Sequence, residues 1–166
     1  MRHHFTGTTH TLEGRLIFDP EQHRLLEPAE VIIQVTSFRT GNYQRDRDMR
    51  TMFEAKQYPE IRFVLTRLTH LPDEAATPGL ERYRLAGRIK VRSVEQPVTF
   101  DVVARVLATE LEVSGKLLLT TSMFELKPPT VFGLIRVGPE VLVEIRTTWK
   151  ASDEQAFELP ATRTTP

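Results

Sequence analysis

The chain has 166 residues, and its 22 basic side chains balance its 22 acidic ones, so the formal net charge is zero. A protein without net charge lacks the global field that attracts nucleic acid or anionic lipid, and we predict no nucleic-acid partner. Hydrophobic residues make up 40% of the chain and charged residues 27%, which is typical of one globular domain. The lack of cysteine excludes disulfides, thiolate catalysis and cysteine-ligated zinc.

The N-terminal segment Met1–Gly7 lacks the apolar stretch of a secretory signal peptide. No apolar run in the sequence approaches the about 20 residues that cross a bilayer, so we expect no integral membrane segment. The sequence as written therefore predicts a cytoplasmic protein. A truncated N-terminus would instead be consistent with a periplasmic or secreted one.

Apolar residues recur at every second position along most of the chain, which predicts β-strands with one buried face. The alternating segments are, in chain order, 12–18, 31–35, 61–66, 83–91, 98–106, 111–123 and 141–149. The connections are too short for crossover helices, so we expect antiparallel pairing, with hairpin turns at Val94–Pro97 and Thr109–Glu110. Strands of this number and length predict a closed all-β barrel, whose interior is either filled by side chains or holds one small ligand.

One helical segment interrupts the strands. Asn42 is a favourable N-cap, and Met49, Met52 and Phe53 follow at helical spacing on one face. Pro59 disfavours the helical conformation of the residue before it and ends the segment. We predict a short amphipathic helix over about residues 43–55 that forms a lid on the barrel.

Three further segments are predicted to lie at the surface. Five basic residues at even spacing on one predicted strand are interpreted as a solvated face rather than a polyanion site: Arg82, Arg84, Arg88, Lys90 and Arg92. Residues 72–79 are expected to form a loop because of their prolines and glycine. The polar segment 151–166 is expected to be a C-terminal tail that follows a barrel domain of residues 1–150.

The side chains able to catalyse a reaction or bind a metal form no recognisable constellation. Zinc requires three or four converging ligands, whereas the histidines fall near the N-terminus or in predicted loops, at His3, His4, His10, His23 and His70. No nucleophile elbow, phosphate-binding loop or H-E-x-x-H motif occurs. We therefore predict no metal site, no cofactor and no catalytic residue.

The segment Val35–Met49 reads VTSFRTGNYQRDRDM and is followed by Phe53 and by YPEIRF at Tyr58–Phe63. It resembles the signature of the YceI-like family, in which a TGN-xx-RD-xx-M segment precedes yP-x-i-x-F. Further segments similar to that family lie at 5–7, 12–19, 85–91 and 97–100, so the resemblance spans residues 5–149. Two places depart from the pattern: the first strand is short before Gly7, and the late R-x-dFG segment reads TSMFELKPP at 121–129.

The resemblance implies an extended, lipocalin-like, eight-stranded antiparallel barrel that binds, carries or stores a long apolar ligand in its interior without catalysis. The implied ligand is a polyisoprenoid, an isoprenoid quinone or a fatty-acid-like amphiphile, and the implied context is transport or stress response with homodimer formation. The residues expected to line the lumen and lid are Val35, Tyr43, Arg45, Met49, Met52, Phe53, Ile61, Phe63, Leu85, Phe100, Val102 and Leu117.

The polar residues near the predicted mouth leave a choice of roles. Tyr43, Arg45 and Lys127 are candidates for holding a ligand head group. Arg45 together with Asp46 is equally consistent with a structural cap on the barrel.

Two alternatives to a carrier remain open. One is a hydrolase or isomerase that acts on an apolar substrate inside the barrel, which requires a buried polar pair such as Asp101 or His10 beside a hydroxyl. The alternation places Asp101 on the exposed face of its strand, which counts against that pair. The other alternative is a ligand-free, filled barrel that acts as an assembly module through an exposed strand edge.

Overall fold

The computed structural model describes residues 6–72, 77–127, 130–131, 135–136, 139–152 and 156–159. Its strands are β1 (Leu12–Asp19), β2 (Arg24–Leu25), β3 (Ala29–Gln34), β4 (Glu60–His70), β5 (Glu81–Val91), β6 (Val94–Val106), β7 (Glu110–Thr120), β8 (Thr130–Val131), β9 (Ile135–Arg136), β10 (Glu140–Ala151) and β11 (Ala156–Leu159). The helix α1 spans Tyr43–Met52, and two 3-10 turns span Val35–Ser37 and Thr121–Phe124. No helix in the described part of the chain is both long and apolar enough to cross a membrane.

Eight of the strands form a closed antiparallel barrel. Each pairs with the next in the order β1, β3, β4, β5, β6, β7, β10 and β11, and β11 pairs back onto β1. The two-residue strand β2 extends β1 as a hairpin, and β8 pairs with β9 outside the barrel. The predicted eight-stranded antiparallel barrel with one short helix is therefore confirmed.

The strand β11 closes the barrel, so Ala156–Leu159 belongs to the barrel and not to the C-terminal tail predicted over residues 151–166. Leu16 of β1 pairs with Phe157 of β11, and Gly14 pairs with Leu159. Phe157 is only 3% exposed and Ala156 only 1%. Four residues escaped detection because so short a segment shows too little alternation to stand out in a polar sequence.

The hairpin between β5 and β6 also differs from the prediction. The turn lies at Arg92 and Ser93, with Arg92 in the left-handed region at φ 56°, and Val94–Pro97 belongs to β6. Pro97 suggested a turn because proline lacks the N–H that a strand ladder needs. It is tolerated here because the pairs recorded between β6 and β7 start at Val102, beyond the proline.

The core consists of two apolar clusters, one at each end of the barrel. The cluster at the end that α1 covers, called the α1 end, contains Ile89, Val98 and Phe124, with Met52 and Phe53 of the lid packed against it. The cluster at the opposite end, called the far end, contains Phe18, Tyr83, Leu111, Trp149 and Phe157. Phe63 and Phe100 contact both clusters and therefore mark the middle of the barrel.

Truncating the closing strand tests how much the closure contributes to stability. We expect Phe157→Ala to lower the free energy of unfolding by about 3–5 kcal/mol, because it removes a buried aromatic ring from the seam. Urea denaturation measures the change. The neighbouring Glu158 is exposed, so Glu158→Ala should change the unfolding free energy by less than about 0.5 kcal/mol. Equal effects of the two substitutions would contradict this account of the closure.

Candidate functional site in the barrel interior

A set of short polar contacts fixes α1 across the α1 end. The Asn42 side chain accepts a hydrogen bond from the backbone N–H of Arg45 at 3.0 Å, which confirms the predicted N-cap. Asp46 Oδ1 accepts from the backbone N–H of Thr40 at 2.8 Å and from its hydroxyl at 2.6 Å. Asp46 is only 7% exposed, so the helix is held to the preceding loop by a buried carboxylate.

Two of the three head-group candidates, Tyr43 and Arg45, lie on the helix. Arg45 donates through Nη2 to the backbone carbonyl of Thr40 at 3.1 Å, which puts it in the cap, one of the two roles left open above. Gly41 adopts φ 74°, a left-handed conformation that glycine accepts without strain. Tyr43 is 77% exposed on the first turn of the helix.

The lid residues converge on the α1 end. Met52 and Phe53 pack against the cluster there, and the Phe53 ring stacks on Phe38 with centroids 6.2 Å apart. Met49, on α1, is half-buried. Val35 lies in a 3-10 turn rather than on a strand and is only 2% exposed.

The lumen residues named from the sequence lie on the inner face of the barrel. The strand register pairs Leu85 with Phe100, and Phe63 with the buried Ile89. Leu85, Val102 and Leu117 are buried. Ile61, Phe63 and Phe100, in contrast, are only half-buried although they face inward. These three inward side chains therefore keep part of their surface accessible to solvent.

Gly87 of β5 allows the Phe63 ring to pack directly against the inner face of the barrel wall. A Cβ atom at Gly87 would come within 2.7 Å of Phe63 Cε2 and 2.2 Å of the Val64 carbonyl oxygen. Any side chain there would displace the ring or the strand. Gly87 therefore belongs to the site, and sequence reasoning noted it only as part of a strand motif.

Other inward residues were recognised in the alternation but not assigned to the lumen. Each of them faces the interior by strand register and is half-buried. These residues are Val31, Val113, Val143 and Ile145. The alternation itself could have identified them, because they occupy the same face of their strands as the buried residues next to them.

The outer wall carries the charged residues. Arg84 Nε lies 2.7 Å from Asp101 Oδ1, and the bidentate contact with this guanidinium holds the pKa of the Asp101 carboxyl below its ordinary value. Arg88 forms an ion pair with Glu95. The basic residues of β5 therefore form the solvated face that was predicted, except that Arg92 lies in the turn and pairs with Glu54 at 2.9 Å.

A groove of ≈ 360 Å³ lies on this wall where the recorded pairing of β6 and β7 starts. Its rim includes Asp101, Lys116 and Arg146, and its floor reaches Val102 and Ile145 of the inner face. Neither residue named for the enzyme alternative is buried in the interior, because Asp101 lies on the outer wall and His10 is exposed.

A β-bulge in β4 changes which residues face the lumen. Leu65 pairs with Gly87, but the next pair is Arg67 with Ala86, so Thr66 is an extra residue. Because one residue is inserted, the inner face passes from Leu65 to Leu68 and His70. His70 then pairs with Tyr83 at the far end. His70 therefore lies at the end of a strand, which corrects its assignment to a loop.

The bulge brings together side chains that could hold a metal ion, which the sequence had argued against. His70 Nε2 lies 2.7 Å from Glu81 Oε2, and the His23 ring stacks on the His70 ring with centroids 3.7 Å apart. His23 Nδ1 lies 2.7 Å from the hydroxyl of Tyr83. Burial, and secondarily the charge of Glu81, raises the pKa of Tyr83 to about 12, so this hydroxyl stays protonated at neutral pH.

The comparisons with known proteins agree with this geometry. The model of the YceI-like domain matches residues 1–149. No curated protein sequence matches the chain.

Solved structures share the fold at low sequence identity. A Campylobacter jejuni YceI protein has 17% identity and a TM-score of 0.75, with 92% of this chain and 88% of that chain covered. Burkholderia cenocepacia BcnA has 20% identity and a TM-score of 0.71, with 86% of each chain covered. A polyisoprenoid binding domain from Saccharophagus degradans, implicated in plant cell wall breakdown, has 17% identity and a TM-score of 0.60, with 95% of this chain and 100% of that chain covered.

Neutralising Asp46 tests the lock between the helix and its loop. The hydrogen bond from the Thr40 hydroxyl, together with the Thr40 N–H and the charges of Arg39 and Arg50, holds the pKa of Asp46 below its ordinary value of 3.8. A lowered pKa in the folded state stabilises the protein above pH 3.8, and this contribution is lost as the pH falls through the folded-state pKa. We therefore expect Asp46→Asn to reduce the loss of thermal stability between pH 5 and pH 2.

Thermal unfolding followed by circular dichroism across this pH range measures the effect. Asp48→Asn on the same helix is the matched control, because the Asp48 carboxylate accepts from Gln44 and does not contact the Thr40 loop. A profile for Asp46→Asn that is parallel to that of the unsubstituted protein would show that the lock is unimportant at acid pH.

Proposed function

The chain belongs to the YceI-like family, and we propose that it binds a long apolar chain non-covalently in the interior of its barrel. The proposed ligand is a polyisoprenoid, an isoprenoid quinone or a fatty-acid-like amphiphile. The similarity to the polyisoprenoid binding domain of Saccharophagus degradans supports this ligand class. The proposed role is carriage or storage rather than catalysis.

The observation that carries the proposal is the incomplete burial of two aromatic side chains on the inner face of the barrel. Phe63 of β4 and Phe100 of β6 flank β5 and pack against each other near the middle of the barrel with ring centroids 5.7 Å apart, yet both remain half-buried. Large aromatic rings that face inward are normally among the best-buried groups of a protein. An apolar chain lying between the two end clusters would cover this remaining surface.

The energy available to such a ligand is large. Burying a methylene group contributes about 0.8 kcal/mol, so about 20 enclosed carbons contribute roughly 16 kcal/mol before costs. Association and ordering costs take back about 4–15 kcal/mol of this. Apolar burial therefore supplies affinity for any long chain, while polar groups at the mouth must distinguish one head group from another.

Lys127 is the head-group residue that the geometry favours. It borders a hollow of ≈ 140 Å³ at the α1 end, together with Met52, Thr51 and Asp48 of the helix. Lys127 is exposed and its ammonium group can turn toward the hollow, whereas Arg45 is already bonded to Thr40. An apolar lid residue next to a cation suits a ligand whose tail enters the barrel and whose head group stays at the surface.

The first experiment identifies what the protein carries. The full chain is purified under native conditions without detergent and extracted with organic solvent, and the extract is analysed by mass spectrometry. We expect a long-chain amphiphile in stoichiometric amount. If no amphiphile is extracted, and none of a polyprenol, a quinone or a fatty acid binds in a titration, the proposal is wrong.

Filling the lumen tests where the ligand lies. Val31 faces inward opposite Phe63, so Val31→Trp places an indole in the space between the end clusters. We expect at least about a tenfold loss of affinity for a fluorescent long-chain probe, which corresponds to about 1.4 kcal/mol. Ile32 faces the outer wall opposite Arg62, so Ile32→Trp is the matched control and should leave the affinity unchanged. Thermal unfolding checks that both variants fold.

Charge reversal at the mouth tests the head-group assignment. We expect Lys127→Glu to weaken binding of a fatty acid and to leave binding of the fatty alcohol of equal chain length unchanged, because only the acid carries a charge. Lys150→Glu is the control, since Lys150 is exposed on β10 and lies outside the hollow. Equal losses for the acid and the alcohol would rule out an electrostatic role for Lys127.

A further inference from the structure

Three side chains from separate parts of the chain meet at the far end of the barrel. His23 lies in the turn between β1 and β2, His70 is the last residue of β4, and Glu81 is the first residue of β5. One ligand atom from each lies within 4.8 Å of the others, and all three residues are half-buried. The α1 end, where we place the apolar ligand's head group, is at the other end of the barrel.

We propose that His23, His70 and Glu81 form a binding site for a divalent transition-metal ion, with Zn²⁺ as the best-matched species. Two imidazoles and one carboxylate are a ligand set that Zn²⁺ accepts, with metal–ligand distances of about 2.0–2.2 Å. With three protein ligands, the fourth position is left for a water molecule. The proposal concerns a different end of the barrel and does not depend on the apolar ligand.

Coordination requires the three ligand atoms to move closer together and the two histidine rings to reorient. Ligand atoms in a tetrahedral zinc site lie about 3.4 Å apart, compared with the 4.8 Å limit within which the three atoms fall here. The Glu81 side chain is 42% exposed and is free to adjust its terminal torsions. The two imidazole rings are stacked and parallel within 2°, so binding requires their planes to tilt until a nitrogen of each points at the same ion.

Tyr83 supplies the outer contact that metal-binding histidines usually have. A ligating histidine binds the metal through one ring nitrogen and donates a hydrogen bond from the other. Here Nδ1 of His23 lies 2.7 Å from the Tyr83 hydroxyl, which can accept that hydrogen bond and leave Nε2 for the metal. Tyr83 is only 2% exposed and packs edge-to-face against Phe18, so the partner is held rigidly.

His23 has an uncommon backbone conformation, which the surrounding turn holds in place. His23 adopts φ 50°, in the left-handed region that residues with a Cβ atom rarely occupy. The turn before it is stabilised by Asp19, whose Oδ1 accepts from the backbone N–H groups of Glu21 and Gln22. A bound metal would link this turn to β4 and β5 and thereby tie down the far end.

The test is a Zn²⁺ titration of the full chain without an affinity tag, in which His3→Ala and His4→Ala are made first to remove histidines that could bind metal at the N-terminus. We expect one Zn²⁺ ion per chain by isothermal titration calorimetry. His70→Ala and His23→Asn should each weaken binding by at least about tenfold, and Tyr83→Phe by about 10-fold through loss of the outer contact. Asparagine is chosen at position 23 because it tolerates the left-handed conformation.

Two controls keep the result decisive. His10→Ala removes an exposed histidine outside the cluster and should not change the binding. If His70→Ala does not fold, Glu81→Gln replaces it, because the amide keeps the size of the side chain and loses the charge. Thermal unfolding gives a second readout. Zn²⁺ but not Mg²⁺ should raise the unfolding midpoint temperature of the parent, and neither ion should raise that of the cluster variants.

The opposite results would overturn the proposal. If the parent binds no Zn²⁺, the three residues are only a hydrogen-bonded cap on the far end. If it binds Zn²⁺ and the His23, His70 and Glu81 variants bind it equally well, the ion lies elsewhere on the surface. Either outcome leaves the apolar-ligand proposal untouched, because that proposal is tested at the lumen and at Lys127.

Discussion

The antiparallel pairing of β11 with β1 is the contact on which the rest of the molecule depends. A sheet of eight strands has two edges with unpaired backbone groups, and joining them removes both edges. The pairing of Leu16 with Phe157 closes the sheet into a cylinder and buries both side chains. Closure creates an inside, and only then do the inward residues of all eight strands, Phe63 and Phe100 among them, enclose a common interior. The interior site and both of its ends are therefore consequences of that seam.

The two ends of the barrel are closed in different ways. At the α1 end, the buried carboxylate of Asp46 holds the Thr40 loop, and the helix brings Met52 and Phe53 over the opening. This closure is made by one helix on hydrogen-bonded flanks, which suits an end through which a ligand passes. At the far end, Tyr83 lies buried beneath the stacked rings of His23 and His70. This second closure uses side chains of β4, β5 and the turn between β1 and β2, and it is tied to the barrel wall.

The bulge at Thr66 shows how one inserted residue changes the chemistry of the molecule. Without it, regular alternation after Leu65 would turn Arg67 and Thr69 inward and His70 outward. With it, Leu68 joins the far-end cluster and His70 meets Glu81. The same strand therefore contributes apolar residues to the lumen at one end and a metal-ligating side chain to the cluster at the other.

Local patterns in the sequence determined most of the strands, the antiparallel barrel, the N-cap at Asn42 and the apolar stripe of the lid. These features depend on the alternation of neighbouring side chains and on one capping residue, both of which a single sequence displays. The TGN and RD segment indicated the family by its resemblance to a known signature. Its physical role, which is to link Thr40, Arg45 and Asp46, is visible only in the tertiary structure.

Only the tertiary structure decided the closing strand, the inward direction of His70 and the meeting of His23, His70 and Glu81. Each of these depends on pairing between residues far apart in the chain, and a bulge or a strand of four residues leaves too weak a periodic signal to be recognised beforehand. Period-2 alternation specifies which side chains share a face of one strand. Which faces meet is set by register, and register is a property of the closed sheet.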